Sequence, residues 1–120
     1  MSSTSAQAPV IEVNSLNFQQ EVVDAELPVL VDVSATWCAP CRAAHPVVTE
    51  LARTYAGRLK VVEVNGEDSP DLVARLGVRG FPTFLAMVGG AVVQRSAGFA
   101  GRRPLEELAR TALAAADPRA

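Results

Sequence analysis

The sequence predicts an α/β fold in which one central mixed five-stranded sheet is flanked by four helices, and three observations carry that prediction. Apolar runs of strand length alternate with stretches of helical spacing. Two of the runs, Thr83 to Val88 and Ala91 to Ser96, flank Gly89-Gly90, a pair that permits the positive φ of a tight hairpin turn. The 120 residues are 49% hydrophobic with a mean hydropathy of +0.20, enough for one domain with its own core. The order is βαβαβαββα: helical crossovers make the early strands parallel, and the hairpin adds an antiparallel edge.

Residues 1–9, rich in Ser, Ala and Gln, lack periodicity and are expected to form a flexible N-terminal tail, which leaves residues 10–117 as the domain. Val10 to Val13 reads as a short strand. Asn14 and Ser15 are helix-capping types, and Leu16, Phe18, Val22 and Val23 follow at the spacing of a short amphipathic helix packed on the sheet. After Pro28, the run Val29 to Val33 is almost continuously apolar, as in a central parallel strand buried on both faces; Asp32 is the exception. From Cys38 to about Tyr55, the residues Ala44, Val47, Val48, Leu51, Ala52 and Tyr55 mark one face of a long helix that Pro46 is expected to kink. Gly57 suits its C-cap, and Leu59 to Val64 gives the next strand. Ser69 and Pro70 can start a short helix through Leu76, stopped by Gly77. Beyond the hairpin, Leu105, Leu108, Ala109, Ala112, Leu113 and Ala116 recur at three and four, marking a helix that caps one sheet face.

The chemistry concentrates in Trp37-Cys38-Ala39-Pro40-Cys41, which holds both cysteines and the only tryptophan at a strand-to-helix junction. Two cysteines at this spacing can close a small ring when the first begins a helix and the second lies in its first turn. Unpaired N–H groups and the helix dipole would then favour a thiolate at Cys38, the attacking sulfur, and leave Cys41 as the resolving thiol. Pro40 suits the first turn, where its missing N–H costs nothing. A zinc half-site has the same spacing but normally needs four ligands, whereas the chain has no second cysteine pair and His45 is its only histidine. A redox dithiol is therefore the reading adopted, with no metal and no cofactor expected in this chain.

Composition sets further bounds. The net charge of −2 combines five carboxylates and no Lys or Arg before Arg42 with a mildly basic remainder, and nothing resembles a nucleic-acid footprint. No apolar run could span a bilayer, and no charged n-region precedes an apolar h-region, so no membrane role is expected and the cytoplasm is the expected location.

These residues resemble the thioredoxin family from about Val10 to the C-terminal helix. Trp37-Cys38-Ala39-Pro40-Cys41 is similar to the family's Trp-Cys-Gly-Pro-Cys with alanine for glycine, and Asp32, Pro46, Arg79-Gly80-Phe81-Pro82-Thr83, Gly90 and Gly98 fall at the family's intervals. The resemblance implies a thioredoxin fold and a monomer that reduces disulfides in target proteins, recharged by an NADPH-dependent thioredoxin reductase and supporting cell redox homeostasis. It implies that Cys38 attacks a target disulfide, that Cys41 resolves the mixed disulfide, and that a buried Asp32 manages the Cys41 proton. It further implies that Phe81-Pro82 is a cis-proline loop facing the dithiol and pairing with an extended substrate segment. Trp37, Ala39, Pro40, Gly80, Phe81, Pro82 and Gly98 then form the substrate-binding surface, with Phe99 either beside them or in ordinary packing.

Three positions depart from the family's pattern. Ser34 stands where many relatives carry an aromatic residue, which loosens packing beside the dithiol. Glu63 stands where several bacterial relatives carry a lysine; it points either to solvent or toward Asp32, and in the second case one carboxyl must titrate high. His45, one turn after Cys41, either influences the dithiol's protons or is a partly exposed structural histidine. The rival functions are an oxidase or isomerase of exported proteins, and a binding module that grips partners without turnover.

Overall fold

The computed structural model describes residues 10–118; the tail expected over residues 1–9 lies outside the described residues. Five strands, β1 (Val10–Val13), β2 (Val29–Ser34), β3 (Lys60–Asn65), β4 (Thr83–Val88) and β5 (Ala91–Ala97), form one sheet in the order β1-β3-β2-β4-β5. Four helical segments accompany them: α1 (Gln19–Val23), α2 (Ala39–Thr54), α3 (Pro70–Arg75) and α4 (Arg102–Ala116). β3 runs parallel to both β1 and β2, whereas β4 is antiparallel to β2 and to β5. The run read as a parallel strand is thus parallel on one side only.

The central position of β2 follows from its composition. Every residue from Val29 to Ser34 is buried, because branched apolar side chains can be covered on both faces. Leu30, Val61, Phe84 and Ala86 face α2 and α4, packing with Ala44, Val48, Leu51, Leu105, Leu108 and Ala109. Val29, Val31, Val33, Val62, Val64, Leu85 and Met87 face the other way, against Phe18, Val22 and Leu72. The hairpin forms as expected, with φ of 59° at Gly89 and 84° at Gly90, a conformation that side chains disfavour. The long helix is continuous through Pro46. Arg102 forms an ion pair with Glu50 that ties the start of α4 to α2.

One element differs from its expected form. The first helix is a single π-helical turn that begins only at Gln19, and Leu16 is 94% exposed instead of lying on its packed face. Local hydrogen bonding is the reason. Asn14 Oδ1 accepts from the N–H groups of Leu16 and Asn17, and Asn17 Oδ1 accepts from the Asn14 N–H, so residues 14–17 form a side-chain-closed turn that points Leu16 outward. Phe18 and Val22 still bury as the spacing requires.

Candidate active site

The carboxyl end of β2 delivers the dithiol. Four residues after Ser34, the chain turns into α2 with Cys38 as its N-cap in extended conformation, and Pro40 sits in the first turn. The Cys41 N–H donates to Cys38 Sγ at 3.2 Å, so the cap that a Ser or Asp oxygen would usually provide is here a sulfur. That bond and the positive helix end both favour negative charge on Cys38. The two cysteines are joined as a disulfide with Cα atoms 5.2 Å apart, and both are buried. The loop leading to them is held from outside: Glu67 Oε1 accepts from the Thr36 N–H at 3.1 Å and from its hydroxyl at 2.9 Å, and Arg42 donates to the Thr36 carbonyl. The two bonds from Thr36 hold the exposed Glu67 carboxyl below its usual range.

Opposite Cys38, the Phe81-Pro82 peptide is cis. The Phe81 carbonyl oxygen lies 3.5 Å from Cys38 Sγ, where a reduced thiol could donate to it. The Gly98 N–H donates to the Pro82 carbonyl at 2.8 Å, and Thr83 Oγ1 donates to the Gly80 carbonyl at 2.7 Å, which fixes the proline loop against the start of β4 and the end of β5. Trp37, 66% exposed, meets the half-buried Phe81 ring edge to face at 6.0 Å. Ala39, Pro40, Gly80 and Gly98 are exposed around them. A cavity of about 410 Å³ runs along Gly80, Phe81, Pro82 and Gly98, with Arg79 and Arg95 at its wall. Phe99 packs, partly buried, against the α2 and α4 core.

Behind Cys41 the surroundings are different. A second cavity, about 420 Å³, is lined by Cys41, Arg42 and His45 of α2 and by Glu12, Ser34, Glu63 and Asn65 at the carboxyl ends of three strands. Asp32 pairs in register with Glu63, which pairs with Glu12, so three carboxyl side chains occupy neighbouring positions on the sheet face that α2 covers. Asp32 is 1% exposed and accepts a hydrogen bond from Ser34 Oγ at 2.5 Å. Burial pushes its carboxyl up to about 7, against the Ser34 hydrogen bond, which favours the ionised form, and with the help of the Glu63 charge. Glu63, the register partner of Asp32, is half-buried and lines this cavity. His45 is exposed on the cavity rim. Among the described residues, no group of three or more His, Cys, Asp or Glu side chains is placed to hold a metal ion, and no helix is long and apolar enough to cross a membrane.

Sequence reasoning missed Glu67 and Gly66. The Glu67 clasp joins residues 31 apart and has no local signature. A Cβ at Gly66 would meet the Phe81 ring, so a larger residue there would have to displace that ring; its position at the end of an apolar strand is a usable signal.

The family model described as Thioredoxin matches residues 9–114. Thioredoxin 1 of Nostoc sp. is 41% identical over 96 residues, covering 80% of this chain and 90% of its own length. Thioredoxin C-2 of Corynebacterium nephridii is 42% identical over 98 residues, 82% of this chain and 91% of its own. The thioredoxin of Haemophilus influenzae is 39% identical over 89 residues, 74% of this chain and 83% of its own.

Proposed function

The chain belongs to the thioredoxin family and is a thiol-disulfide oxidoreductase that exchanges target disulfides with its Cys38-Cys41 pair; from that premise we propose that it works in the reducing direction, as a cytoplasmic monomer recharged by an NADPH-dependent thioredoxin reductase. Residues 10–117 form the domain that does so. The observation that carries the reading is the Cys41 N–H aimed at Cys38 Sγ at a helix N-terminus, with the Phe81 carbonyl on the other side of the sulfur.

In the first step the Cys38 thiolate attacks one sulfur of a target disulfide. The target's S–S bond breaks, its second sulfur leaves as a thiolate, and a Cys38-target mixed disulfide forms. Trp37, Ala39, Pro40, Gly80, Phe81, Pro82 and Gly98 receive the target: the rings bury against its apolar groups, and backbone groups beside Pro82 pair with an extended segment. In the second step Cys41 gives its proton to Asp32, attacks Cys38 Sγ, and expels the target sulfur as a thiolate. The chain is left as the Cys38-Cys41 disulfide and the target carries two reduced sulfurs. A carboxyl titrating near 7 suits this transfer, since it can both accept and release a proton at neutral pH.

Equilibration with glutathione tests the direction of the reaction. A potential near the family's reference value of about −270 mV supports a reductase, whereas a value as oxidising as about −180 mV or above would mark an oxidase or isomerase instead.

A further inference from the structure

We propose that Ser34 is the positioning residue through which the Asp32 proton enters and leaves, linking the buried carboxyl to the polar cavity behind Cys41. The inference rests on the reading of Asp32 as the proton acceptor. Asp32 is 1% exposed and does not line the cavity, whereas Ser34 is 7% exposed, lines it together with Cys41, and contacts Asp32 Oδ1 through its hydroxyl at 2.5 Å. A serine can do this because its hydroxyl donates and accepts at once.

The cavity is suited to the other end of the relay. At about 420 Å³ and with polar walls it has room for water, and Ser69, whose buried hydroxyl has no protein partner, also lines it. When Asp32 is ionised, the Ser34 hydroxyl donates to it and lowers the cost of its charge. When Asp32 takes the Cys41 proton, the bond reverses: Asp32 donates to Ser34 Oγ, and the serine hydrogen turns to the cavity. Release completes the exchange, with the Asp32 proton passing to Ser34 Oγ as the serine proton passes to solvent. One proton leaves Cys41, one reaches water, and Ser34 and Asp32 return to their starting forms.

Facing this path, β3 contributes Glu63 and β1 contributes Glu12, α2 contributes Arg42 and His45, and Asp68 lies at the cavity wall. Phe84 of β4 is the apolar register partner of Asp32, and α4 presents Leu105, Leu108 and Ala109 to this side of the sheet. Glu63 offers the competing exit, since it adjoins Asp32 and also lines the cavity.

The test is the pH profile of the resolving step, read as target release from a preformed Cys38 mixed disulfide in Ser34→Ala, Ser34→Thr, Glu63→Gln and Asp32→Asn. Ser34→Ala is expected to raise the profile's midpoint by about one pH unit and to slow release about tenfold at pH 7, as loss of a hydrogen bond to an ionised group requires. Ser34→Thr, which keeps the hydroxyl, is expected to restore both. Ser34→Gly repeats the deletion should the alanine variant fold poorly. A Ser34→Ala profile matching the parent, with Asp32→Asn flattened, would overturn the Ser34 relay while leaving Asp32 in place. An unchanged Asp32→Asn profile would remove the Asp32 reading itself. Slowing in Glu63→Gln but not in Ser34→Ala would assign the exit to Glu63 and contradict the proposal.

Discussion

Cys38 and Cys41 are bonded to each other, yet the regions they face share almost no chemistry. Around Cys38 lie the exposed Trp37 and Gly98, the half-buried Phe81 and the buried Pro82, with a carbonyl 3.5 Å from the sulfur. Behind Cys41 lie Glu12, Ser34, Arg42, His45 and Glu63, lining a polar cavity next to a buried carboxyl. One turn of α2 separates the two. Under the proposed function this contrast has a use: attack on a target needs a surface another protein can cover, whereas resolution needs somewhere to put a proton. The cis Phe81-Pro82 loop lies on the first side and the carboxyl end of β2 on the second.

The largest expected effect comes from removing the sulfur on the docking side. Cys38→Ser is expected to bring reduction of a protein disulfide to the uncatalysed level, measured as appearance of target thiols. Asp32→Asn strikes the proton side: release from the mixed disulfide is expected to fall about a hundredfold at pH 8 and to lose its rise through pH 7, a typical contribution for a positioned base. The same variant has a stability signature. The folded Asp32 carboxyl titrates near 7 and the unfolded one near 3.8, so the native state holds an extra proton between these values. Its stabilising contribution is complete below about pH 4 and is lost as pH rises through 7, by roughly 4 kcal/mol in all. Urea unfolding at pH 4, 6 and 8 is expected to show this decline in the parent and not in Asp32→Asn, which becomes the more stable chain at pH 8.

Smaller changes sharpen the contrast. Trp37→Ala and Phe81→Ala are each expected to raise KM for a protein target about tenfold and to leave reduction of a small aliphatic disulfide within about twofold, because an interface aromatic matters only when a partner covers it. Glu63→Gln is expected to lower the Asp32 titration midpoint by less than about one unit, since the Glu63 charge is a lesser cause of its rise than burial. A midpoint that stays put would separate the two carboxyls electrostatically.

The docking side was more legible in the sequence than the proton side, and the reason is physical. Cys38, Pro40 and Cys41 act through the local geometry of a helix start, which spacing reveals. Val29 to Val33 and Gly89-Gly90 likewise announce a buried strand and a tight turn through short-range chemistry. Phe81, Pro82 and Gly98 are legible only through the family resemblance, and the Gly98 to Pro82 hydrogen bond brings the last two together. The Ser34 contact to Asp32, the Glu67 clasp on Thr36 and the cavity itself depend on strand register and on chain segments far apart in sequence. Nor could apolar spacing foresee α1: Asn14 and Asn17 close a turn with their side chains, and that local bond overrides the helical period that Leu16 suggested.

The division of labour between the two sulfurs is tested most directly by trapping. Cys41→Ser, reduced and mixed with a disulfide-bonded protein, is expected to accumulate a covalent adduct on Cys38 that a small dithiol releases, with the modified residue located by mass spectrometry. Cys38→Ser under the same conditions is expected to give none. Equal adduct on Cys41 in that second variant would contradict the account, since it would mean that either sulfur can meet the target.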